Sequence, residues 1–169
     1  CGRWSQNASR RLKHPIAPWL ISNGSLTQRL TAYSGGYFAV MPIREYFGRP
    51  SRDETGFLGV PVQHFAWIRE VYLFGYPLRS DQPPEAQAWV MARSVIPLKT
   101  LRGKGRRLRY LGRRSLGSVL FAQKKLSCQR QSRCMEEGVY ARRSHYRWHQ
   151  QSVLVQETFL PAFVNTLIG

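Results

Sequence analysis

A chain of 169 residues, 43% hydrophobic and 12% aromatic with five Trp, carries enough apolar mass for one core, which excludes a disordered polymer. No run approaches the roughly 18 consecutive apolar residues of a membrane-spanning helix, and no apolar leader opens the chain. A single soluble, cytoplasmic domain over residues 1–169 is expected. Lys and Arg number 26 against 9 Asp and Glu, a net charge of +17, and 15 of the cations but only Glu136 and Glu137 lie between Lys99 and Arg147. Such a field attracts anions in general, whether nucleic acid, acidic lipid head groups or small carboxylates. The three cysteines, Cys1, Cys128 and Cys134, are too few and odd for a disulfide framework.

In chain order, residues 1–13 are polar and basic without period and read as a loose arm. Pro15 to Ile21, with Trp19 and Leu20, predicts a short helix opened by Pro and ended by Asn23 and Gly24. Ser25 and Gln28 form a capping box for a second helix through Leu26 and Leu30 to about Tyr33, closed by Gly35 and Gly36. Thereafter the apolar runs are short, rich in Val, Tyr, Phe and Trp, and separated by Gly, Pro, Asp and Ser. They predict strands at Tyr37 to Phe47, Phe65 to Phe74, Ala86 to Ile96, Leu126 to Cys134, Tyr140 to Trp148 and Ser152 to Leu160, with a helix at Ser115 to Gln123. Strands without regular βαβ alternation give the α+β class: one antiparallel sheet of about six strands with helices on one side.

Strand alternation then asks which charges face the core. Arg93 shares an alternating set with Trp89, Met91 and Val95, and Glu157 one with Val153, Val155 and Phe159. A charge on an apolar face costs several kcal/mol unless it is paired. Either the two satisfy each other, or both line a cavity in which Arg93 grips an anion through its fork-shaped guanidinium. Alternatively, Ala88, Val90 and Ala92 mark the inner face and Arg93 points away. Arg69 and Glu70, and likewise Arg142 and Arg143, are neighbours that must be split between faces. Cys128, Cys134, His145 and His149 superficially suggest a zinc finger. The intervals of five and ten residues do not match its two-to-four and about twelve, so no metal is expected.

The segments Met91-Ala-Arg-Ser-Val-Ile-Pro97, Leu111-Gly-Arg-Arg-Ser-Leu-Gly117, Arg142-Arg-Ser144 and Glu157-Thr-Phe-Leu-Pro161 resemble the chorismate pyruvate-lyase family in order and spacing. The likeness continues upstream through Trp19-Leu20, Ser25-Leu-Thr-Gln-Arg29, Ile43-Arg-Glu45 and Trp67-Ile-Arg-Glu70. The resemblance implies a cytoplasmic, cofactor-free lyase that takes chorismate to 4-hydroxybenzoate and pyruvate, opening ubiquinone synthesis, with the ligand in an internal cavity beneath helical flaps. Carried over by position, Arg93 binds the ring carboxylate, Glu157 the hydroxyl end, and backbone amides at Leu26 and Leu116 complete the pocket. Arg69 or Arg143 meets the enolpyruvyl carboxylate. Ala141 departs from the family's frequent Gly, and the segment from Lys99 to Arg114 is unusually basic.

That basic excess leaves room for weak association with an anionic membrane surface; the protein is otherwise read as a monomer with no specific nucleic-acid partner. A second reading keeps the fold without the chemistry: the effector-binding domains of certain bacterial winged-helix repressors resemble it, but residues 1 to 35 are too few for a DNA-reading unit. A third, a nucleic-acid module, rests on charge alone and shows no aromatic RNA-binding box.

Overall fold

The computed structural model describes residues 2–76, 86–124, 126–136 and 138–169. Six antiparallel strands, β1 (Phe38–Gly48), β2 (Ala66–Gly75), β3 (Gln87–Pro97), β4 (Ser127–Glu136), β5 (Val139–Trp148) and β6 (Gln151–Phe159), form one sheet in the order β1-β2-β3-β6-β5-β4. The last three strands are a meander that returns to lay β6 against β3. The expected α+β class, the six strands and the antiparallel pairing are those observed.

Two faces result. On one lie α1 (Ala17–Ile21), α2 (Leu26–Tyr33), α4 (Leu116–Leu120) and α5 (Pro161–Ile168). Trp19, Leu20, Leu26, Leu30 and Phe163 bury themselves there against Val71, Leu73, Val90, Ala92 and Phe159, while α4 covers Trp67, Ile96, Val153 and Val155. Phe163 is fully buried and meets Trp19 edge-on at 4.8 Å; burying such a ring contributes about 2–3 kcal/mol. Helix α5 begins with a proline in its first turn, where the missing N–H costs nothing.

The other face carries α3 (Arg52–Leu58), whose Leu58 packs on Ile68, Val95 and Leu154. The alternation in sequence leads one to expect helices on one side, and this one sits alone opposite the rest. Its start is written in the chain: Ser51 Oγ accepts from Glu54 N–H at 3.1 Å, Glu54 Oε2 accepts from Ser51 N–H at 2.8 Å, and Gly59 closes the helix at φ +69°.

One irregularity governs the site. Between β2 and β3 the register moves from Leu73↔Val90 to Phe74↔Ala88, leaving Trp89 as an extra residue. Trp89 therefore turns to the same side as Val90 and Ala92, and its indole lies over Gly75, where a Cβ would come within 2.2 Å of the ring. The arm read as loose is tied down: Ser5 pairs with Ser132 on the β4 edge, and Trp4 lies against the Arg133 and Arg143 guanidiniums at 4.3 and 4.5 Å.

Candidate active site

A largely enclosed cavity opens between the four-helix face of the sheet and the first turns of α2 and α4. Its floor is Val71, Ala92, Ser94 and Val155; Leu26, Thr27, Ser115, Leu116 and Gly117 roof it, and Arg69, Tyr146 and Glu157 are its polar walls. The void follows from side-chain size. Ala92 and Ser94 stand on the central strand between taller neighbours, and nothing reaches in to fill the space above them. Its volume of about 40 Å³ is room for roughly three waters.

Arg69 is 2% exposed. Its Nη2 donates to the carbonyls of Gly112 at 2.6 Å and Arg114 at 3.0 Å. Nη1 lies 3.2 Å from Glu45 Oε1 but has no hydrogen-bond partner. Burial pushes this guanidinium below the usual arginine range, and Glu45 acts in the opposite sense. A buried cation whose Nη1 is ion-paired but not hydrogen-bonded has donor capacity left for a second anion.

Glu157 is 8% exposed and is oriented by Arg142, whose Nε donates to Glu157 Oε2 at 2.5 Å. Arg142 is fully buried and donates from Nη1 to the Trp19 carbonyl at 2.8 Å and to that of Ser22 at 3.3 Å. Burial works against the cation, but Glu157 outweighs it and holds Arg142 above its ordinary value. Arg130 also donates to the Ser22 carbonyl, and its Nη2 to Tyr146 Oη at 2.9 Å. Burial raises the Tyr146 pKa, so the phenol is neutral. The loops leading into α2 and α4 are thus each fastened to the site by arginines.

Register sets the spacing. Arg69 stands opposite Ser94 and Glu157 opposite Ala92, so the two Cα positions are two strand spacings and one row apart, about 12 Å.

The remaining expected residues divide sharply. Leu26 and Leu116 line the cavity at the first turns of their helices, where backbone N–H groups are free of intrahelical bonds. Arg93 does not join Glu157. Ala92, not Arg93, stands opposite Glu157, and the Arg93 side chain emerges on the α3 face. There Nε donates to Glu54 Oε1 at 2.6 Å and Nη1 to Glu70 Oε1 at 2.7 Å and to Tyr46 Oη at 3.2 Å. Of the two faces that alternation leaves open, the structure has the one with Val90 and Ala92 inward, with Trp89 on the same side as an extra residue, so Arg93 is not placed to bind the ring carboxylate as the resemblance implies. Arg143 also lies on the α3 face: Nη1 donates to Asp53 Oδ2 at 2.7 Å, and Nε and Nη2 to Gln131 Oε1. Neither reaches the cavity. The chamber holds a guanidinium and a carboxylate, as the chemistry requires, but the guanidinium is Arg69. Arg142 enters the sequence reading only as one of two neighbouring charges split between faces, and Tyr146 does not enter it. The run Tyr140, Arg142, Ser144, Tyr146, Trp148, every second residue of β5, carries the signal that finds them.

Residues 3–167 match the family model described as chorismate lyase. A "probable chorismate pyruvate-lyase" of Acinetobacter baumannii is 38% identical over 154 residues, covering 91% of this chain and 86% of that one. One of Pseudomonas aeruginosa is 38% identical over 157 residues, with 86% and 83% covered. Among solved structures, PhnF from Mycobacterium smegmatis superposes with a TM-score of 0.55 at 12% identity, over 84% of this chain and 66% of its own. The effector domain of PhnF alone gives 0.53 at 13%, over 84% and 91%. At these identities the likeness is one of fold.

Proposed function

Because the chain belongs to the chorismate lyase family, we propose that it converts chorismate to 4-hydroxybenzoate and pyruvate, as a cytoplasmic monomer opening ubiquinone synthesis, with no cofactor. The observation that carries this reading is Arg69, a buried guanidinium whose Nη1 faces Glu45 but makes no hydrogen bond, sharing one small-floored cavity with Glu157.

In the reaction the ring–oxygen bond to the enolpyruvyl group breaks and the ring carbon bearing the hydroxyl loses its hydrogen as a proton. The ring becomes aromatic, and the released enolpyruvate takes up a proton to become pyruvate. Aromatisation supplies the driving force, so the protein's main task is to hold the substrate in a reactive pose. Arg69 takes the ring carboxylate through charge-assisted bonds. Glu157, with one oxygen occupied by Arg142, has the other for the ring hydroxyl, where it orients the ring or receives the proton. The first-turn amides at Leu26 and Leu116 meet the second carboxylate, which lies too far from Arg143 to use it.

A cavity that holds roughly three waters does not admit a substrate of this size as it stands. Entry needs α2 and α4 to move off the sheet, and the arginine-bound loops before them, at Ser22 and at Gly112 to Arg114, are the tethers of those flaps.

The test is turnover: purified protein and chorismate, with 4-hydroxybenzoate followed by its absorbance. Product should accumulate with the parent chain. Tight binding of 4-hydroxybenzoate without turnover would transfer the site to the effector-binding reading, and neither binding nor turnover would remove it from both.

A further inference from the structure

The strongest charge on the molecule gathers at one end of the sheet. Because the strands are antiparallel, β1 and β3 finish where β2 and β6 begin. Across that end runs the segment from Leu98 to Arg114, which includes two consecutive 3-10 turns held to the core by Leu101, Leu108 and Leu111. Gly105 presses on the Thr100 carbonyl so closely that a Cβ would fall 1.6 Å from its oxygen, and only glycine lets the segment fold this flat. With the leucines turned inward, every Lys and Arg of the segment except the half-buried Arg109 is exposed, and the segment contains no Asp or Glu. The ion pairs of the described residues use Arg44, Arg69, Arg93, Arg142 and Arg143, none of which lies in it.

Among these cations stand apolar side chains that the fold leaves uncovered. Leu98 is 46% exposed, Phe47 45% and Tyr110 76%, and the three share one hollow with Arg106 and Arg109. Cations ringing an aliphatic and two aromatic side chains match the head-group layer of a membrane, where apolar tips enter and cations meet lipid phosphates. Nucleic acid fits less well. Arg109 already lies over Phe47, Trp67 and Tyr110, at 4.7, 5.1 and 5.7 Å from their ring centres, and so competes for the faces on which bases would stack. No helix of the segment is long enough to enter a groove, and Leu98 offers nothing to a phosphate.

We propose that this end of the sheet docks on an anionic lipid bilayer, with Leu98, Phe47 and Tyr110 entering the head-group layer. The inference goes beyond the lyase reading and does not depend on it. The same segment continues into the cavity wall: the Gly112 and Arg114 carbonyls accept from Arg69, and Ser115 caps α4. The docked surface and the α4 flap are therefore parts of one run of chain.

Flotation with phosphatidylcholine vesicles, with and without phosphatidylglycerol, tests the proposal, read beside binding to a duplex DNA oligonucleotide. The intact chain should float with the phosphatidylglycerol vesicles at low salt, stay behind with pure phosphatidylcholine, and be released by high salt. Replacing Lys99, Lys104 and Arg106 together by Ala should weaken partitioning roughly a hundredfold. The pair Leu98→Ser and Tyr110→Ser should weaken it roughly tenfold at unchanged net charge. All these side chains are exposed, and unchanged melting midpoints should show that the variants fold. Equal binding to both vesicle types, partitioning unaffected by either set of replacements, or tighter binding to the DNA than to the anionic vesicles would each overturn it.

Discussion

Each face of the sheet holds two arginines at its middle, and their partners differ in kind. On the α3 face, Arg93 meets two carboxylates, Glu54 and Glu70, and Arg143 meets Asp53 and the Gln131 amide. On the cavity face, Arg69 donates to two carbonyls and has Glu45 3.2 Å from Nη1 without a hydrogen bond, and Arg142 donates to one carboxylate and two carbonyls. A guanidinium hydrogen-bonded to carboxylates on two elements is structural cement, whereas one whose hydrogen bonds go to carbonyls, with a nearby carboxylate it does not hydrogen-bond, keeps donor capacity for an incoming anion. Exposure alone points the other way: Arg93, with 19% of its side chain exposed, is easier for solvent to reach than Arg69. What distinguishes a binding arginine here is its pairing, not its accessibility.

Exchanging the two residues breaks this comparison most strongly. Arg69→Ala should lower kcat/KM for chorismate by about a thousandfold, the loss of a buried charge-assisted grip on a carboxylate, with Arg69→Lys recovering part of it. Arg93→Ala should leave kcat/KM within a few fold of the parent, measured well below the melting midpoint. Its effect belongs to stability. Removing the guanidinium strands Glu54 and leaves Glu70 with Arg44 alone, and urea unfolding should register a loss of about 2 kcal/mol, less than for a fully buried pair because Arg93 is partly exposed.

The same network sets acid tolerance. Burial opposes the charge of Glu54, yet the Arg93 and Ser51 hydrogen bonds outweigh it and hold its carboxyl below the ordinary range. Glu70 is held low by Arg44 and Arg93 against burial. A carboxylate whose folded value is depressed binds fewer protons folded than unfolded, so its contribution is complete above the unfolded value near 4.5 and disappears as pH falls through the folded one. Melting midpoints should fall below about pH 4.5 in the parent and fall less steeply in Arg93→Ala. The smallest effect belongs to Ser51→Ala, which removes the Oγ acceptor from the α3 capping box. It should cost about 1 kcal/mol of stability and leave turnover unchanged.

The sheet was legible to within a residue or two because its strands are rich in Val, Tyr, Phe and Trp and several end at turn residues, as at Gly48 and Gly75. The first two helices were legible from Pro and from the Ser25 cap, of whose expected box the structure has the half in which Ser25 Oγ accepts from the Gln28 N–H. Helix α3 was passed over although Ser51 and Glu54 stand three residues apart, because its seven residues carry too short an apolar pattern to announce a helix. That omission hid the partner of Arg93. The face of β3 stayed open between two readings for a separate reason: a single extra residue at Trp89 shifts the alternation by one, and its cause is a pairing irregularity with β2 that no local pattern reveals. Glu157 was legible because β6 is regular over its whole length. Arg69 was legible as one of two neighbouring charges forced to opposite faces and, beside Arg143, as a candidate for the enolpyruvyl carboxylate, but not as the partner of Glu157.

Calorimetric titration with 4-hydroxybenzoate into the parent, Arg69→Ala and Arg93→Ala tests the assignment most directly, since it reads the grip on the ring acid apart from the chemistry. The parent and Arg93→Ala should bind with similar affinity, and Arg69→Ala should show no measurable heat. Undiminished binding by Arg69→Ala, or its loss in Arg93→Ala with the fold intact, would contradict the account.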